Sequence, residues 1–261
     1  RKLYHIEVAR MNDYYLVRSG RDGQPRSYLF PSGSGDVKPV IDALSTDAAL
    51  RGEPLVMSGV TKESVAALET LFPGRFTFEE TRDHFDYIYE SEKLITLSGK
   101  KLHSKRNFIN RFQAEHEGGW SFEAITPENI AECWSMNTRW CEQNGCGEDP
   151  SLMEELCAVR NCFENFSALG LRGGLLRVDG RVVAYTMGLP LNSDTFIVHI
   201  EKAFSDVAGA YPMINREFAA YNCADFKYVN REDDVGDEGL RRAKLSYKPA
   251  ILLEKFIVTE Q

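Results

Sequence analysis

The segment Gly99-Lys-Lys-Leu-His-Ser-Lys-Arg-Asn107, followed by Arg111, holds five cations and no acid. Cations in the first turn of a helix oppose its macrodipole, and the N–H groups of that turn bind anions. We therefore expect either a site for a phosphate-bearing ligand or a solvated basic surface. The candidate ligand-binding residues of this segment are Lys100, Lys101, His103, Lys105 and Arg106.

One of these lysines falls on the apolar side of its helix. In the helix predicted over residues 98–117, a turn of 100° per residue places Lys105 within the stripe formed by Leu102, Phe108 and Phe112. A lysine in that position must extend along the apolar surface to water or line a cleft.

A histidine and a carboxylate share the strand predicted over residues 195–202. Alternation with period two places His199 and Glu201 on one face, about 7 Å apart. An imidazole and a carboxylate there can deprotonate an attacking amine or hydroxyl, or they can be hydrogen-bonded structural residues. Lys202, next to this pair, and Tyr211, at the start of the next helix, are candidates to bind the same ligand. The other face of the strand carries Phe196, Val198 and Ile200.

The run from Asn230 to Gly239 packs five acids beside two glycines, but its spacing does not match a calcium-binding EF-hand loop. We expect the glycines to shape a tight turn and the acids to hold arginines. Cations on one face of the following helix form a second candidate anion site. The candidate residues of this part are Asn230, Arg231, Arg241, Lys244 and Lys248.

Composition restricts the class of protein. The chain of 261 residues has a net charge of −8, all of it in residues 119–261, which disfavours a globally basic nucleic-acid binder. The longest uncharged stretch is twelve residues, too short to span a bilayer. The six cysteines show no zinc-ligand spacing, so we expect free thiols, no bound metal and a reducing cytoplasm.

The order of predicted elements indicates a mixed α/β protein with mostly antiparallel sheets. Gly118–Gly119 coincides with the change in charge, so we predict two units, residues 1–118 and 119–261. A glycine-rich pyrophosphate loop with RxxGxG spacing is absent from the sequence, which weakens the case for acyl-CoA as a ligand.

Four motifs together carry a family resemblance: Asp86-Tyr-Ile-Tyr, Leu97 to Asn107, His199-Ile-Glu-Lys-Ala203, and Asn230-Arg-Glu-Asp-Asp with Gly-Leu-Arg-Arg-Ala-Lys-Leu-Ser-Tyr-Lys-Pro249. With them the sequence resembles the uncharacterised bacterial proteins related to the C-terminal domain of phosphatidylglycerol lysyltransferase. The resemblance implies two tandem GNAT-like (Gcn5-related acyltransferase) lobes, as in the Fem-type aminoacyltransferases, with the site in the cleft between the lobes.

The resemblance also implies a reaction. Members of these families move an aminoacyl group from charged tRNA, or an acyl group from CoA, to an amine, a hydroxyl or a lipid headgroup. Acyl transfer needs a base near the nucleophile and a cation near the developing oxyanion. His199 or Glu201 would supply the base, and Lys244, Arg241 or Lys248 the cation. In Fem-type enzymes a lysine near the last helix contacts the acyl-transfer site, and Lys244 or Lys248 resembles it.

Two further interpretations remain open. The chain can be a non-catalytic module that binds tRNA, a nucleotide or a lipid headgroup, or a structural protein whose polar clusters stabilise the lobes. We expect a cytoplasmic location, at the inner face of the membrane if the acceptor is a lipid, and no covalently bound cofactor.

Overall fold

The computed structural model describes residues 5–21 and 26–261. The helices are α1 (Lys38–Leu50), α2 (Lys62–Leu71), α3 (Ser91–Thr96), α4 (His103–Glu115), α5 (Ile130–Gln143), α6 (Pro150–Glu164), α7 (Ala210–Asn222) and α8 (Glu238–Ser246). The strands are β1 (Glu7–Met11), β2 (Tyr14–Ser19), β3 (Ser27–Leu29), β4 (Ser32–Gly33), β5 (Val56–Thr61), β6 (Phe76–Glu80), β7 (Asp86–Glu90), β8 (Trp120–Ala124), β9 (Arg172–Val178), β10 (Arg181–Pro190), β11 (Thr195–Ala203), β12 (Tyr228–Asn230), β13 (Ile251–Leu253) and β14 (Lys255–Glu260).

The chain forms two compact units, residues 1–85 with 253–261, and residues 86–252. The boundary predicted after Gly118 lies inside the second unit. Strand β7 pairs with β12, so residues 86–118 belong with the later part of the chain. Strand β14 pairs with β5 and β6, so the last residues return to the first unit.

The first unit is built on a mostly antiparallel sheet with its own apolar core. Its strand order is β1-β2-β3-β5-β14-β6, with β4 beside β2. Helices α1 and α2 contribute Ile41 and Leu68 to the core, where both side chains are buried. The side chain of Thr61 caps α2 by accepting from the N–H of Ser64 at 3.3 Å.

The second unit carries every candidate site residue named above. Its sheet has the order β13-β7-β12-β11-β10-β9-β8, and β11 and β12 are parallel neighbours. Helix α7 packs on one face through Phe218, whose ring lies 5.8 Å from that of Phe196. Helices α5 and α6 pack on the other, where Phe163 meets Tyr185 at 5.3 Å. The predicted fold class, mixed α/β with mostly antiparallel sheets, is confirmed.

A β-bulge at His199 changes which face the later residues of β11 occupy. Gly188 pairs with Val198 and Met187 pairs with Ile200, so the register skips His199. One extra residue reverses the alternation of a strand. The predicted alternation is therefore wrong beyond Val198: Glu201 lies on the α7 face and Ile200 on the opposite one.

The basic segment begins differently from the prediction. Residues Lys100–Leu102 form a 3₁₀ turn, and the α-helix starts at His103. Helix α4 then passes very close to Gly209, the N-cap of α7. A Cβ atom on Gly209 would lie 2.6 Å from the carbonyl oxygen of Phe108, and the φ of Gly209 is +85°. Only glycine fits this approach without strain.

The expectation of six free thiols is wrong for one pair. Cys141 and Cys146 form a disulfide across the turn that ends α5, with their Cα atoms 5.1 Å apart. The turn brings the two residues within bonding distance, which spacing alone did not reveal. The cysteines with free thiols are Cys133, Cys157, Cys162 and Cys223.

Candidate functional site

The candidate site lies where β11 and β12 separate. Their parallel pairing ends at Ile197 and Asn230, yet β11 continues to Ala203. After Asn230 the chain turns away as residues 231–237, which we call the acidic loop. Side chains of β11 and of the acidic loop fill the gap between the separated strand ends.

His199 and Glu232 form the first contact across this gap. The Nδ1 atom of His199 lies 2.7 Å from Oε1 of Glu232. A carboxylate only accepts hydrogen bonds, so this contact places the proton of a neutral imidazole on Nδ1 and leaves a lone pair on Nε2. The His199 side chain is 33% exposed, so a substrate can reach the ring.

Glu201 and Arg231 form the second contact. Nη2 of Arg231 donates to Oε1 of Glu201 at 2.7 Å, and each side chain is 11% exposed. Nδ2 of Asn215, on α7, donates to the other carboxylate oxygen at 3.1 Å. Glu201 therefore accepts from two donors, and the carboxylate that contacts His199 is Glu232 rather than Glu201, which was predicted to share a strand face with His199.

Asn230 sets the start of the acidic loop. Its Oδ1 accepts from the N–H of Glu232 at 2.8 Å, and its Nδ2 donates to Asp86 on β7 at 3.0 Å. This local turn holds Glu232 in the left-handed region, with φ +56°, which a non-glycine residue rarely adopts. The strained backbone directs Glu232 towards His199.

Lys244 holds the acidic loop from α8. Its Nζ donates to the carbonyls of Arg231 at 2.7 Å and Glu232 at 3.3 Å, and to that of Asp233. Burial and the nearby Arg231 lower the pKa of Lys244 to about 8. Below that pH the ammonium has three N–H groups, one for each of the three carbonyls. The main role of Lys244 is therefore to hold the acidic loop.

Arg241, also on α8, pairs with Asp234 rather than facing an open site. Its Nε and Nη2 donate to the two oxygens of that carboxylate at 3.0 and 2.8 Å, and the hydroxyl of Tyr87 donates to it as well. Burial opposes ionisation of Asp234, but these donors outweigh it and hold the pKa of the carboxyl well below its ordinary value.

The basic segment divides into exposed and bonded residues. Lys100 and Lys101 are exposed. Arg106 donates to the carbonyl of Gly99 at 2.9 Å and to that of Leu97. Leu97 is the C-cap residue at which α3 ends. Nε2 of His103 lies 3.3 Å from Nδ2 of Asn107. Arg106 therefore shapes the backbone rather than offering a free guanidinium.

Lys105, predicted either to extend to water or to line a cleft, is half-buried against an aromatic ring near Arg231 of the acidic loop. Its Nζ lies 4.3 Å from the ring centre of Tyr247, and Cζ of Arg231 lies 5.1 Å from the same centre. Burial and the like charge of Arg231 lower the pKa of Lys105. Two cations thus share one aromatic ring, and one of them, Arg231, is paired with Glu201.

The remaining candidates lie further from this centre. Lys202, on the opposite face of the sheet from Glu201, bonds Glu155 at 2.8 Å and lies 3.7 Å above the ring of Trp140. Tyr211 hydrogen-bonds to Trp140. Lys248 is exposed after α8. Lys202 and Tyr211 form a separate cluster with α5 and α6.

Sequence reasoning missed three residues of the site as individual participants: Glu232, Asn215 and Tyr247. Their motifs were visible, but their partners depend on the bulge and on the left-handed turn. Among residues 5–21 and 26–261, no group of three or more His, Cys, Asp or Glu side chains is placed to hold a metal ion.

Comparison with known proteins decides the family. Residues 1–259 match the family described as phosphatidylglycerol lysyltransferase, C-terminal. The chain belongs to this family. The resemblance carried by the four motifs is thereby confirmed for nearly the whole chain.

Two solved structures are similar to this chain over nearly its whole length. A conserved protein from Bacteroides thetaiotaomicron is 42% identical, with a TM-score of 0.96, over 100% of this chain and 88% of that one. The C-terminal domain assigned to a lysylphosphatidylglycerol synthetase from Agrobacterium fabrum has a TM-score of 0.73 at 13% identity, over 99% of this chain and 84% of that one.

An uncharacterised protein of Mycoplasmoides gallisepticum is 25% identical over 176 residues, which are 66% of this chain. The matched region spans about half, 55%, of that relative's length. The fold of this family member is tandem GNAT-like. In the described part of the chain, no helix has both the length and the apolar character to cross a membrane.

Proposed function

We propose that this chain transfers an acyl or aminoacyl group from a phosphate-bearing donor to an amine or hydroxyl acceptor. The observation that carries the proposal is the contact between His199 and Glu232. It supplies a solvent-accessible imidazole with a defined tautomer at the open end of β11, where an incoming nucleophile can reach it.

In the proposed reaction Nε2 of His199 takes a proton from the acceptor as the nitrogen or oxygen of that acceptor attacks the acyl carbon. The bond between the acyl carbon and the donor's oxygen or sulfur then breaks, and the leaving group takes the proton back from His199. Glu232 holds the ring and stabilises its protonated form. In this imidazole–carboxylate pair, Glu232 accepts from Nδ1 and His199 is the base.

The charges around the pair support an anionic donor. The cations Arg231, Lys105 and Lys244 lie in and around the acidic loop, where Glu201, Glu232 and Asp233 carry the negative charges. A developing oxyanion is stabilised by such positive charge in a partly desolvated site. Lys244 contributes its charge while its N–H groups hold the acidic loop, which makes it a positioning residue for Glu232.

The donor we favour is an aminoacyl-tRNA. The sequence has no RxxGxG spacing before α7, and Gly209 at the start of α7 packs against α4, which restricts the backbone available to a CoA pyrophosphate. The acceptor class we favour is a lipid headgroup or a small amine, in line with the family name and at the cytoplasmic face of a membrane.

A thermal-shift panel with acetyl-CoA, CoA, charged tRNA and uncharged tRNA tests the donor. A ligand at 100 times its Kd stabilises a protein by about 2.7 kcal/mol, which raises Tm by several degrees. We expect a shift with charged tRNA. A shift with acetyl-CoA alone would change the donor, and a shift without transfer to any acceptor would make the chain a binding module.

A further inference from the structure

Three hydrogen-bond donors, on Arg231, Lys105 and Tyr247, have no acceptor among residues 5–21 and 26–261. Nη1 of Arg231 is buried without a partner. Within the described part of the chain, Lys105 contacts the ring of Tyr247 and no acceptor, and the Tyr247 hydroxyl makes no hydrogen bond. An unpaired buried donor on a cation, such as Nη1 of Arg231, is costly unless an anion completes it.

These donors converge on one ring. Lys105 Nζ lies 4.3 Å from the centre of the Tyr247 ring, and Arg231 Cζ lies 5.1 Å from it. Tyr247 itself is 6% exposed and packs edge-on against Tyr89 at 6.4 Å. The aromatic pair fixes the positions of both cations.

Within residues 5–21 and 26–261, one carboxylate is bonded to this group, and it leaves room for another anion. Glu201 bonds Nη2 of Arg231 at 2.7 Å and Asn215 at 3.1 Å. This engages one amino group of the guanidinium and leaves the other free, while Lys105 has no carboxylate of its own. The local charge of Lys105, Arg231 and Glu201 is therefore positive by one.

We propose that Lys105, Arg231 and Tyr247 form a binding site for one phosphate group. A phosphate offers several acceptor oxygens and accepts from ammonium, guanidinium and phenol donors together. Exposed Lys100 and Lys101 then contribute attraction at longer range rather than contact. The assignment to the donor substrate rests on the proposed function; the phosphate site itself does not.

Isothermal titration of the full chain with inorganic phosphate, at constant ionic strength set by chloride, tests the site. We expect Lys105→Met to weaken phosphate binding by about tenfold or more. The matched control Lys101→Met removes the same charge from the preceding turn and should change Kd by less than about twofold, since a surface charge is screened.

Tyr247→Phe is the second variant, because it keeps the ring and removes only the hydroxyl. It should weaken binding about threefold to tenfold while Tm in chloride stays near that of the wild type. The site is overturned if the wild type does not bind phosphate, if Lys105→Met and Tyr247→Phe bind as tightly as the wild type, or if Lys101→Met loses as much as Lys105→Met.

Competition identifies the source of the phosphate. CoA and a trinucleotide with the cytidine-cytidine-adenosine sequence of a tRNA end are each titrated against bound phosphate in the wild type. Displacement by either one assigns the site to that donor. Phosphate binding that neither displaces would overturn the link to a donor, and phosphate binding in a chain without transfer activity would overturn the proposed function but not the site.

Discussion

The Nδ1 atom of His199 lies 2.7 Å from Oε1 of Glu232, and both residues owe their positions to irregular backbone. His199 is the residue skipped by the register of β11, and Glu232 has a φ of +56°. A bulge and a left-handed turn, placed side by side, therefore build the contact. Regular strand geometry at either position would separate the two groups.

Glu232→Gln tests the role of the carboxylate. The amide keeps the size of the side chain but can donate to Nδ1, which allows the tautomer with the proton on Nε2. We expect kcat to fall by about 10³-fold with little change in Tm. Glu238→Gln, at a residue whose side chain is 74% exposed, is the control and should keep the wild-type rate; equal rates for both variants would remove Glu232 from the site.

Lys244→Met tests the hold of α8 on the acidic loop. It leaves three carbonyls without their donor, so we expect a loss of about 2 kcal/mol in the free energy of unfolding together with a loss of transfer. Urea denaturation and the transfer assay measure both. Lys248→Met, at an exposed position, should change neither; loss of transfer at full stability would instead make Lys244 a direct participant in the reaction.

Asp234→Asn tests the buried carboxylate through pH. The folded pKa of Asp234 lies below its ordinary value of 3.8, so its stabilisation is present above that pH and is lost as the pH falls below it. We expect the free energy of unfolding of Asp234→Asn to be about 3 kcal/mol below that of the wild type at pH 7. The same deficit is expected at pH 5.

Below pH 3.8 the deficit of Asp234→Asn should shrink, as followed by urea denaturation. Asp206→Asn, at an exposed residue, is the control and should stay within about 0.5 kcal/mol of the wild type at each pH. A deficit for Asp234→Asn that is as large at pH 3 as at pH 7 would show that its charge is not the source of the stabilisation.

Gly209→Ala tests the approach of α4 to α7. The new Cβ would lie 2.6 Å from the carbonyl oxygen of Phe108, at a residue whose φ is +85°. We therefore expect the free energy of unfolding to fall by about 3 kcal/mol, which a lower urea midpoint would show. Gly147→Ala, where nothing lies within 4 Å of the added atom, should be nearly neutral. Similar midpoints for both variants would contradict the close packing.

Much of the fold follows from the sequence because its signals are local. The hairpin of β9 and β10 comes from two apolar runs joined by a turn at Asp179-Gly180, and the start of α2 comes from the capping residue Thr61. The boundary after Gly118 does not hold, because β7 and β14 pair with strands far along the chain. Composition contains no information about such distant pairing.

Some residues of the site were predictable from the sequence, but their contacts with one another were not. The position of Lys105 in an apolar stripe predicted a lysine that extends to water or lines a cleft, and its half-buried side chain lies against Tyr247. Glu201 was predicted to share a strand face with His199 because a bulge leaves no clear mark in a single sequence, and Glu232 was not singled out because its contact with His199 depends on that bulge. The sequence gives the type of each residue directly, whereas the contacts of that residue depend on how the strands pair in the folded chain.

The most direct test of the proposed function compares two histidine variants in one transfer assay. Wild type, His199→Gln and His103→Gln are incubated with labelled charged tRNA or acetyl-CoA and with phosphatidylglycerol vesicles or a small amine, and the labelled product is separated and counted. We expect transfer by the wild type and by His103→Gln, and a loss of at least about 10²-fold for His199→Gln. Transfer that survives in His199→Gln, or no transfer by the wild type from either donor, would contradict the account.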